Sequence, residues 1–512
     1  MKKNNREKSR TLFAIKNVIF NFGYQFVNTV TNIVIPPLII GKYGSIVNGL
    51  VTTIKQIMNY VQIVGAGISE SAVVSLYKPL EKQDNKKISA IYNASSKTFN
   101  KSGIIFSIVS ILVAFIYPIF ISESLEYAFI VKIVIILAFA GVSEFFAIGK
   151  YRTLLIADQR MYIVNIAQIT GALASTALTI LMIKLNCSIV LVQLVATIAY
   201  ICRIFILYFY IHKNYKYLKK DVEPDFTAVS KRKAATLHQV ASLIIFGSQT
   251  LFIANFCGLA EASVYSVYNL VFTGLNTILS TISSAMLAGM GSLIATDNSE
   301  RVKKVYNLYE FGYYILVFTV YITAFIMITP FIKLYTNGIT DANYIRGELV
   351  ILFSVMGLLN CLRTPGATMI NAKGHYDETK NRALIEMTIC LIGQAIFVHK
   401  FGIIGVLIGT ILAYLYRTLD VIIYSNRKVL NNKTTKTFIR IVVNIISMCL
   451  IVMFVKVNFE TDSYLTWIIY SIITAILSFI IISIANIIYD KEAVKFGKEY
   501  ILNIIRRNNK ND

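Results

Sequence analysis

The chain has 512 residues, 56% of them hydrophobic and only 15% charged, and its mean hydropathy is +0.63. In a soluble protein the formal net charge of +23 would suggest nucleic-acid binding. The apolar composition argues against an ordinary soluble domain and favours a membrane protein, in which topology explains the positive charge.

The chain is divided into fourteen long apolar stretches. A helix needs about 20 apolar residues to cross a bilayer, and only helices or closed barrels satisfy their backbone groups there. The stretches are too long for barrel strands. They cover residues 12–38, 45–66, 102–122, 127–149, 161–183, 188–211, 236–256, 262–290, 308–330, 347–370, 383–399, 402–424, 437–457 and 464–488. We therefore predict an all-α integral membrane protein with 14 transmembrane helices.

Most of the 50 Lys and Arg residues lie in the two tails and in every second gap between these stretches. The positive-inside rule then predicts that both termini are in the cytoplasm. The longest basic gap, near 212–235, divides the first six predicted helices from the next six.

The two halves of the chain resemble each other. A shift of 217 residues places Gly41 on Gly258 and Asn59 on Asn276, and shifts of 211 and 214 relate two pairs of arginines. Repeated halves are common in secondary transporters, which bind substrate between the repeats. We predict pseudo-symmetric six-helix lobes at 1–211 and 236–430, a cytoplasmic linker at 212–235, and two further helices with a tail at 431–512.

Amide side chains recur at helical spacing in the first predicted helix. Asn21, Gln25, Asn28 and Asn32 fall on one face, which would be costly against lipid. Polar residues of the second, seventh and eighth helices extend this pattern. We interpret the set as the wall of a hydrated substrate cavity, with hydrogen bonding between packed helices as the alternative. The further residues are Asn59, His238, Gln249 and Asn276.

Cations within or near the apolar stretches form a second set of candidates. They need a partner or water inside a bilayer, and guanidinium groups bind phosphate oxygens through paired donors. Arg417 and Asp420 are three residues apart, so an ion pair on one helix competes with a substrate role. Snorkelling to the interface is the alternative for the others. The candidates are Lys55, Arg152, Arg203, Arg363, Arg417 and Asp420.

Several signatures of chemistry are absent from the sequence. It has no GxxxxGK[ST] phosphate loop, no HExxH motif and no paired Cys/His cluster. We therefore expect a transporter, not an enzyme, with no cofactor and no metal. Glu144, Glu310 and Glu386 are weak candidates for coupling to H+ or Na+.

Four segments carry a family resemblance: NTVTNIVIPPLIIGKYGSIVNGL, GAGISESAVVSLYKPLEKQDNKKI, YRTLLIADQRMYIVNI and IHKNYKYLKK. The chain resembles the polysaccharide repeat-unit (Wzx-like) flippases of the MATE-like multidrug/oligosaccharidyl-lipid/polysaccharide (MOP) superfamily. The resemblance implies two six-helix lobes around a cavity, and movement of an undecaprenyl-pyrophosphate-linked oligosaccharide from the inner to the outer leaflet by alternating access. It also implies a bacterial plasma membrane and cooperation with polysaccharide polymerase and chain-length machinery.

Three other functions stay open at this point. A small-molecule exporter of the same fold should have a deep coupling acid and an apolar, aromatic pocket. A lipid II flippase shares nearly all the physics of the favoured function. A membrane-embedded glycan polymerase or acyltransferase is disfavoured, because the predicted outer loops are short. We expect a monomer that contacts the lipid bilayer and does not bind nucleic acid.

Overall fold

The structure is a computed structural model that describes residues 2–65, 68–121, 125–229, 233–294, 298–454 and 461–508. Every regular element in these ranges is helical. The chain divides into two compact units, Met1–Ser266 and Val267–Asp512. The division falls within one helix, Leu259–Ile294.

The first unit begins with two long helices and ends within the helix that crosses the division. Its helices are α1 Lys2–Tyr43, α2 Ser45–Val61, α3 Ile68–Lys82, α4 Asn85–Ile116, α5 Tyr127–Ser143, α6 Gly149–Ala157, α7 Met161–Lys184, α8 Ile189–Ile201, α9 Arg203–Asn214, α10 Lys233–Phe256 and the start of α11 Leu259–Ile294. The second unit continues with α12 Ser299–Tyr335, α13 Gly347–Leu362, α14 Thr364–Lys373, α15 Tyr376–Tyr424, α16 Thr435–Phe454, α17 Tyr464–Tyr489 and α18 Lys491–Asn508.

Within the described ranges, eleven helical segments are long and apolar enough to cross a membrane. One of them contains α15, which is interrupted at Gly402, where φ is 56° and ψ is −132°. Glycine adopts this positive φ without a Cβ clash, so the chain can change direction between two apolar helical halves. The prediction of a multi-pass helical membrane protein is confirmed.

The helix α17 shows how these segments suit a bilayer. Its buried residues Thr474, Ser478, Ile482 and Asn486 recur every four positions on one face. On other faces apolar side chains are about half exposed, including Ile480 at 46%. Polar side chains on the buried face and apolar side chains on the exposed faces are the arrangement expected of a helix in lipid.

The predicted linker at 212–235 is ordered along much of its length against the first unit. The Asn93 amide donates to the carbonyls of Lys219 at 3.0 Å and Val222 at 2.9 Å. Further along, α10 packs on α2, and the Tyr60 hydroxyl donates to Ile244 O at 3.2 Å. These contacts explain why the compact unit extends past the linker. The lobe boundaries drawn from the internal repeat stay a prediction.

Close approach of two backbones within the first unit depends on Gly49 of α2. A Cβ atom at this position would lie 1.8 Å from the carbonyl oxygen of Leu259 at the start of α11. One turn after Leu259 in α11, the Ser263 hydroxyl accepts a hydrogen bond from the amide of Asn48 at 2.8 Å. A small residue followed by a polar bridge is a usual way to join helices in a membrane.

We expect Gly49→Ala to destabilise the protein by about 1–3 kcal/mol, because the added methyl group must push backbone away from backbone. Gly41→Ala is the matched control, since a Cβ atom there meets nothing within 4 Å. Thermal unfolding of both variants in detergent measures the difference. Equal melting temperatures for the two variants would contradict the predicted contact.

Candidate functional site

A break in the regular helix positions the first charged group. Between α5 and α6 the chain makes one π-helical turn, Glu144–Ile148, and then continues as a helix. Single π-helical turns inserted into α-helices are frequent at functional sites. This turn sets Glu144 at the wall of a cavity inside the first unit.

We call this space the N-terminal cavity. Its volume is about 570 Å³, within the range of about 300–1,000 Å³ that is usual for ligand pockets. Much of its wall is polar, although transmembrane helices supply it. The polar lining residues are Tyr24, Asn28, Thr31, Asn32, Lys55, Asn59, Gln62, Glu144, Arg152, Gln168, Ser175, Thr179, Gln193, Thr197, Tyr200 and Arg203.

A charged cluster occupies one part of the N-terminal cavity. Glu144 bridges two arginines: Oε1 lies 2.8 Å from Arg152 Nη1, and Oε2 lies 3.3 Å from Arg203 Nη2. Arg203 also donates to Gln168 Oε1 at 2.7 Å, and its guanidinium lies 3.8 Å from the centre of the Tyr200 ring. Its side chain is only 5% exposed, yet its Nε has no acceptor among the described residues.

Lys55 of α2 is a third cation in the wall of the cavity. Its side chain is exposed, and no described residue forms a hydrogen bond or an ion pair with it. Three cations therefore face a single carboxylate, which leaves the described lining with a charge excess of +2. An excess of this sign, among amide and hydroxyl groups, suits an anionic and hydroxyl-rich ligand.

The second unit contains a related but closed arrangement, which we call the C-terminal ion network. Glu386 bridges Arg363 at 2.5 Å and Arg417 at 3.5 Å, and Arg417 pairs with Asp420 at 2.7 Å. Arg382 pairs with the other oxygen of Asp420. Each of these cations has a carboxylate partner, so the described network contains no unpaired cation comparable to Lys55.

The arginine pairs of the two units are those that the internal repeat relates. Arg152 and Arg203 are bridged by one glutamate, and so are Arg363 and Arg417. The glutamates themselves are not related by those sequence shifts. The internal repeat therefore relates the arginines of the two units, whereas the glutamate that bridges them comes from a different position in each unit.

The structure brings six of the predicted site residues together in the N-terminal cavity: Asn28, Asn32, Asn59, Lys55, Arg152 and Arg203. Asn21 and Gln25 are exposed and do not line it. The His238 side chain lies outside the described residues. The proposed contacts of all these residues with substrate stay a prediction.

The other predicted residues lie away from this cavity. Arg363, Arg417 and Asp420 belong to the C-terminal ion network. Gln249 is buried and donates to Ile245 O at 2.8 Å. Asn276 accepts from the Tyr321 hydroxyl at 3.1 Å. Hydrogen bonding between or within helices, the alternative reading of such residues, describes these contacts.

The sequence-based selection missed several residues of the wall. Gln193 is the single amide residue of the apolar helix α8, Gln168 shares α7 with Asn165, and Tyr24 and Tyr200 are aromatic residues among many. A glutamine in an apolar run was the available signal for the first two. Glu144 was named as a weak coupling acid, but its two arginine partners were not foreseen.

No protein-family model matches the chain, and no curated protein sequence matches it. Solved structures do. The lipid II flippase MurJ in an inward closed conformation superposes with a TM-score of 0.61 at 16% identity, covering 94% of this chain and 100% of that one. An inward-facing multidrug resistance MATE family transporter of the MOP superfamily has a TM-score of 0.55 at 14% identity, covering 78% and 94%. A MATE protein in a bent conformation gives 0.53 at 15%, covering 82% and 95%.

This chain has a fold like that of MurJ and the MATE transporters. At such low identities the likeness concerns the fold alone, and one fold serves several cargoes.

Proposed function

We propose that this protein is a flippase for an undecaprenyl-pyrophosphate-linked oligosaccharide. It moves the lipid-linked repeat unit from the cytoplasmic to the outer leaflet by alternating access, for surface polysaccharide biosynthesis. It is a transporter and catalyses no covalent step.

The observation that carries this proposal is the charge of the N-terminal cavity, where Lys55, Arg152 and Arg203 face Glu144 alone among the described lining residues. A pyrophosphate head cannot enter hydrocarbon without replacing its water. Guanidinium and ammonium groups can bind its oxygens. Asn28, Asn32 and the other amides can bond to sugar hydroxyls while the lipid tail stays in the bilayer.

Two alternatives make different demands on the same cavity. A MATE-type small-molecule or drug exporter is disfavoured for a cationic cargo, because a wall with a charge excess of +2 repels a cation. A lipid II flippase is the second candidate, and the superposition of MurJ over 94% of this chain favours it. Lipid II also carries a pyrophosphate, so the two flippase functions differ in the glycan.

The finer architecture belongs to the same proposal. Fourteen membrane helices are supported by the two halves of α15 within one of the eleven spans and, outside those spans, by the shorter apolar helix Val240–Phe256 and by the 17-residue helix α2. We propose a bacterial plasma-membrane monomer with six-helix lobes at 1–211 and 236–430 and both termini in the cytoplasm. An H+ or Na+ gradient drives it, and a polysaccharide polymerase with its chain-length machinery receives the product.

Transport by the purified protein in liposomes tests the function. Three cargoes are compared: a fluorescent undecaprenyl-pyrophosphate oligosaccharide, fluorescent lipid II and a cationic dye. We expect protein-dependent movement of the oligosaccharide, faster than that of lipid II, and no dye transport. Faster movement of lipid II would replace the cargo with the second candidate, and transport of the dye alone would reject both flippases. Imposed H+ and Na+ gradients identify the coupling ion.

A further inference from the structure

The N-terminal cavity contains its own anion. Among its described lining residues Glu144 is the only acid, and its two oxygens contact the guanidinium groups of Arg152 and Arg203. Carboxylate and phosphate oxygens bind guanidinium donors in the same paired geometry. Glu144 Oε2 accepts a hydrogen bond from Arg203, and Oε1 is ion-paired with Arg152 without a hydrogen bond among the described residues. Glu144 therefore occupies the place beside both guanidinium groups that a phosphate group of a cargo would need.

The surroundings of Glu144 offer it little besides these arginines. The titratable groups around the same cavity are Tyr24 from α1, Lys55 from α2 and Tyr200 from α8. From α4, which also packs against the π-helical turn, the ring of Phe106 meets Phe145 at 5.2 Å. The only cations that pair with Glu144 among the described residues are thus Arg152 and Arg203.

We propose that Glu144 is a displaceable counter-ion. In the empty cavity it neutralises Arg152 and Arg203, and on loading a phosphate group of the cargo takes its place beside their guanidinium groups. The displacement of Glu144 therefore lowers the affinity of the two arginines for the phosphate group, and removal of the carboxylate raises that affinity.

This inference rests on the proposed function to the extent that the cavity receives a phosphate group. It adds a residue role that the cargo alone does not supply. The incomplete pairing of the cavity supports it, because Arg203 Nε has no acceptor and Lys55 has no partner in the described part of the chain. These free donors can hold an entering anion before Glu144 leaves.

The test is titration calorimetry of the purified full chain with inorganic pyrophosphate. The wild type and Glu144→Gln are compared at one pH and one ionic strength. We expect Glu144→Gln to bind pyrophosphate about tenfold more tightly than the wild type, because its arginines have no carboxylate that must first be displaced.

Asp158→Asn is the control, since Asp158 is an ion-paired carboxylate of the same unit, 2.9 Å from Arg160 and outside the cavity. It should keep the affinity of the wild type. Equal affinities of the wild type and Glu144→Gln for pyrophosphate would overturn the proposal, as would a wild type that does not bind pyrophosphate. If Glu144→Gln binds more tightly but liposomes move no lipid-linked glycan, the transport function fails and the counter-ion role stands.

Discussion

Replacing Lys55 with methionine should slow transport of the lipid-linked cargo by about 10- to 100-fold, because a hydrogen bond to a charged group contributes about 1.5–3 kcal/mol. Lys55 lines the N-terminal cavity and bonds to no described residue, so its ammonium group is available to the cargo. For the same reason its removal leaves no carboxylate unpaired. Methionine keeps much of the volume, and we expect an unchanged or slightly higher melting temperature.

Initial transport rates in liposomes, normalised to the inserted protein, measure this effect. Lys132→Met is the matched control, because Lys132 is also exposed on a helix of the first unit but does not line the cavity. The control should transport at the rate of the wild type. If Lys55→Met is equally fast, the cavity is not on the path of the cargo head, and the proposed function loses its main support.

The apolar stretches predicted the helices well because the bilayer imposes a simple length rule. The stretches 161–183 and 464–488 agree closely with Met161–Lys184 and Tyr464–Tyr489. The predicted gap between 399 and 402 coincides with the turn at Gly402. Each of these features follows from local composition, so no knowledge of neighbouring helices was needed.

The site was harder to predict because it depends on which helices become neighbours. The amide face of α1 is a correct local pattern, but only part of it borders the cavity. Asn28 and Asn32 line it. Asn17, four residues before Asn21 on the same helix, instead bonds to the backbone around the start of α7, accepting from Tyr162 N and donating to Gln159 O, each at 2.8 Å. One face of a long helix meets different neighbours along its length. Helical periodicity identifies the face but does not distinguish these environments.

The pairing of Glu144 with Arg203 is the clearest case of missing information. The two residues are 59 positions apart and come from separate helical segments. Nothing in the spacing relates an acid in one apolar run to a base in another. The repeat related Arg152 to Arg363 and Arg203 to Arg417, but it gave no corresponding acid, because the two bridging glutamates occupy different places in the repeat.

Replacing Arg440 with methionine should destabilise the protein by about 3–5 kcal/mol, the usual effect of breaking a buried ion pair from one side. Arg440 of α16 is fully buried, and its guanidinium contacts Glu310 of α12 and Asp490 after α17, both at 2.5 Å. It also donates to Asn307 at 2.7 Å. Without the arginine, Glu310 stays buried with only neutral hydrogen-bond donors.

Thermal unfolding followed by a thiol-reactive dye measures the loss, since Cys361 and Cys390 are buried and become reactive on unfolding. Arg382→Met is the control, because Arg382 is 39% exposed and its partner Asp420 keeps Arg417; the expected loss is below about 1 kcal/mol. Neutralising the acids as well, with Glu310→Gln and Asp490→Asn, should recover part of the stability. If the triple variant is no more stable than Arg440→Met, the loss comes from packing around the guanidinium and not from the unpaired charge.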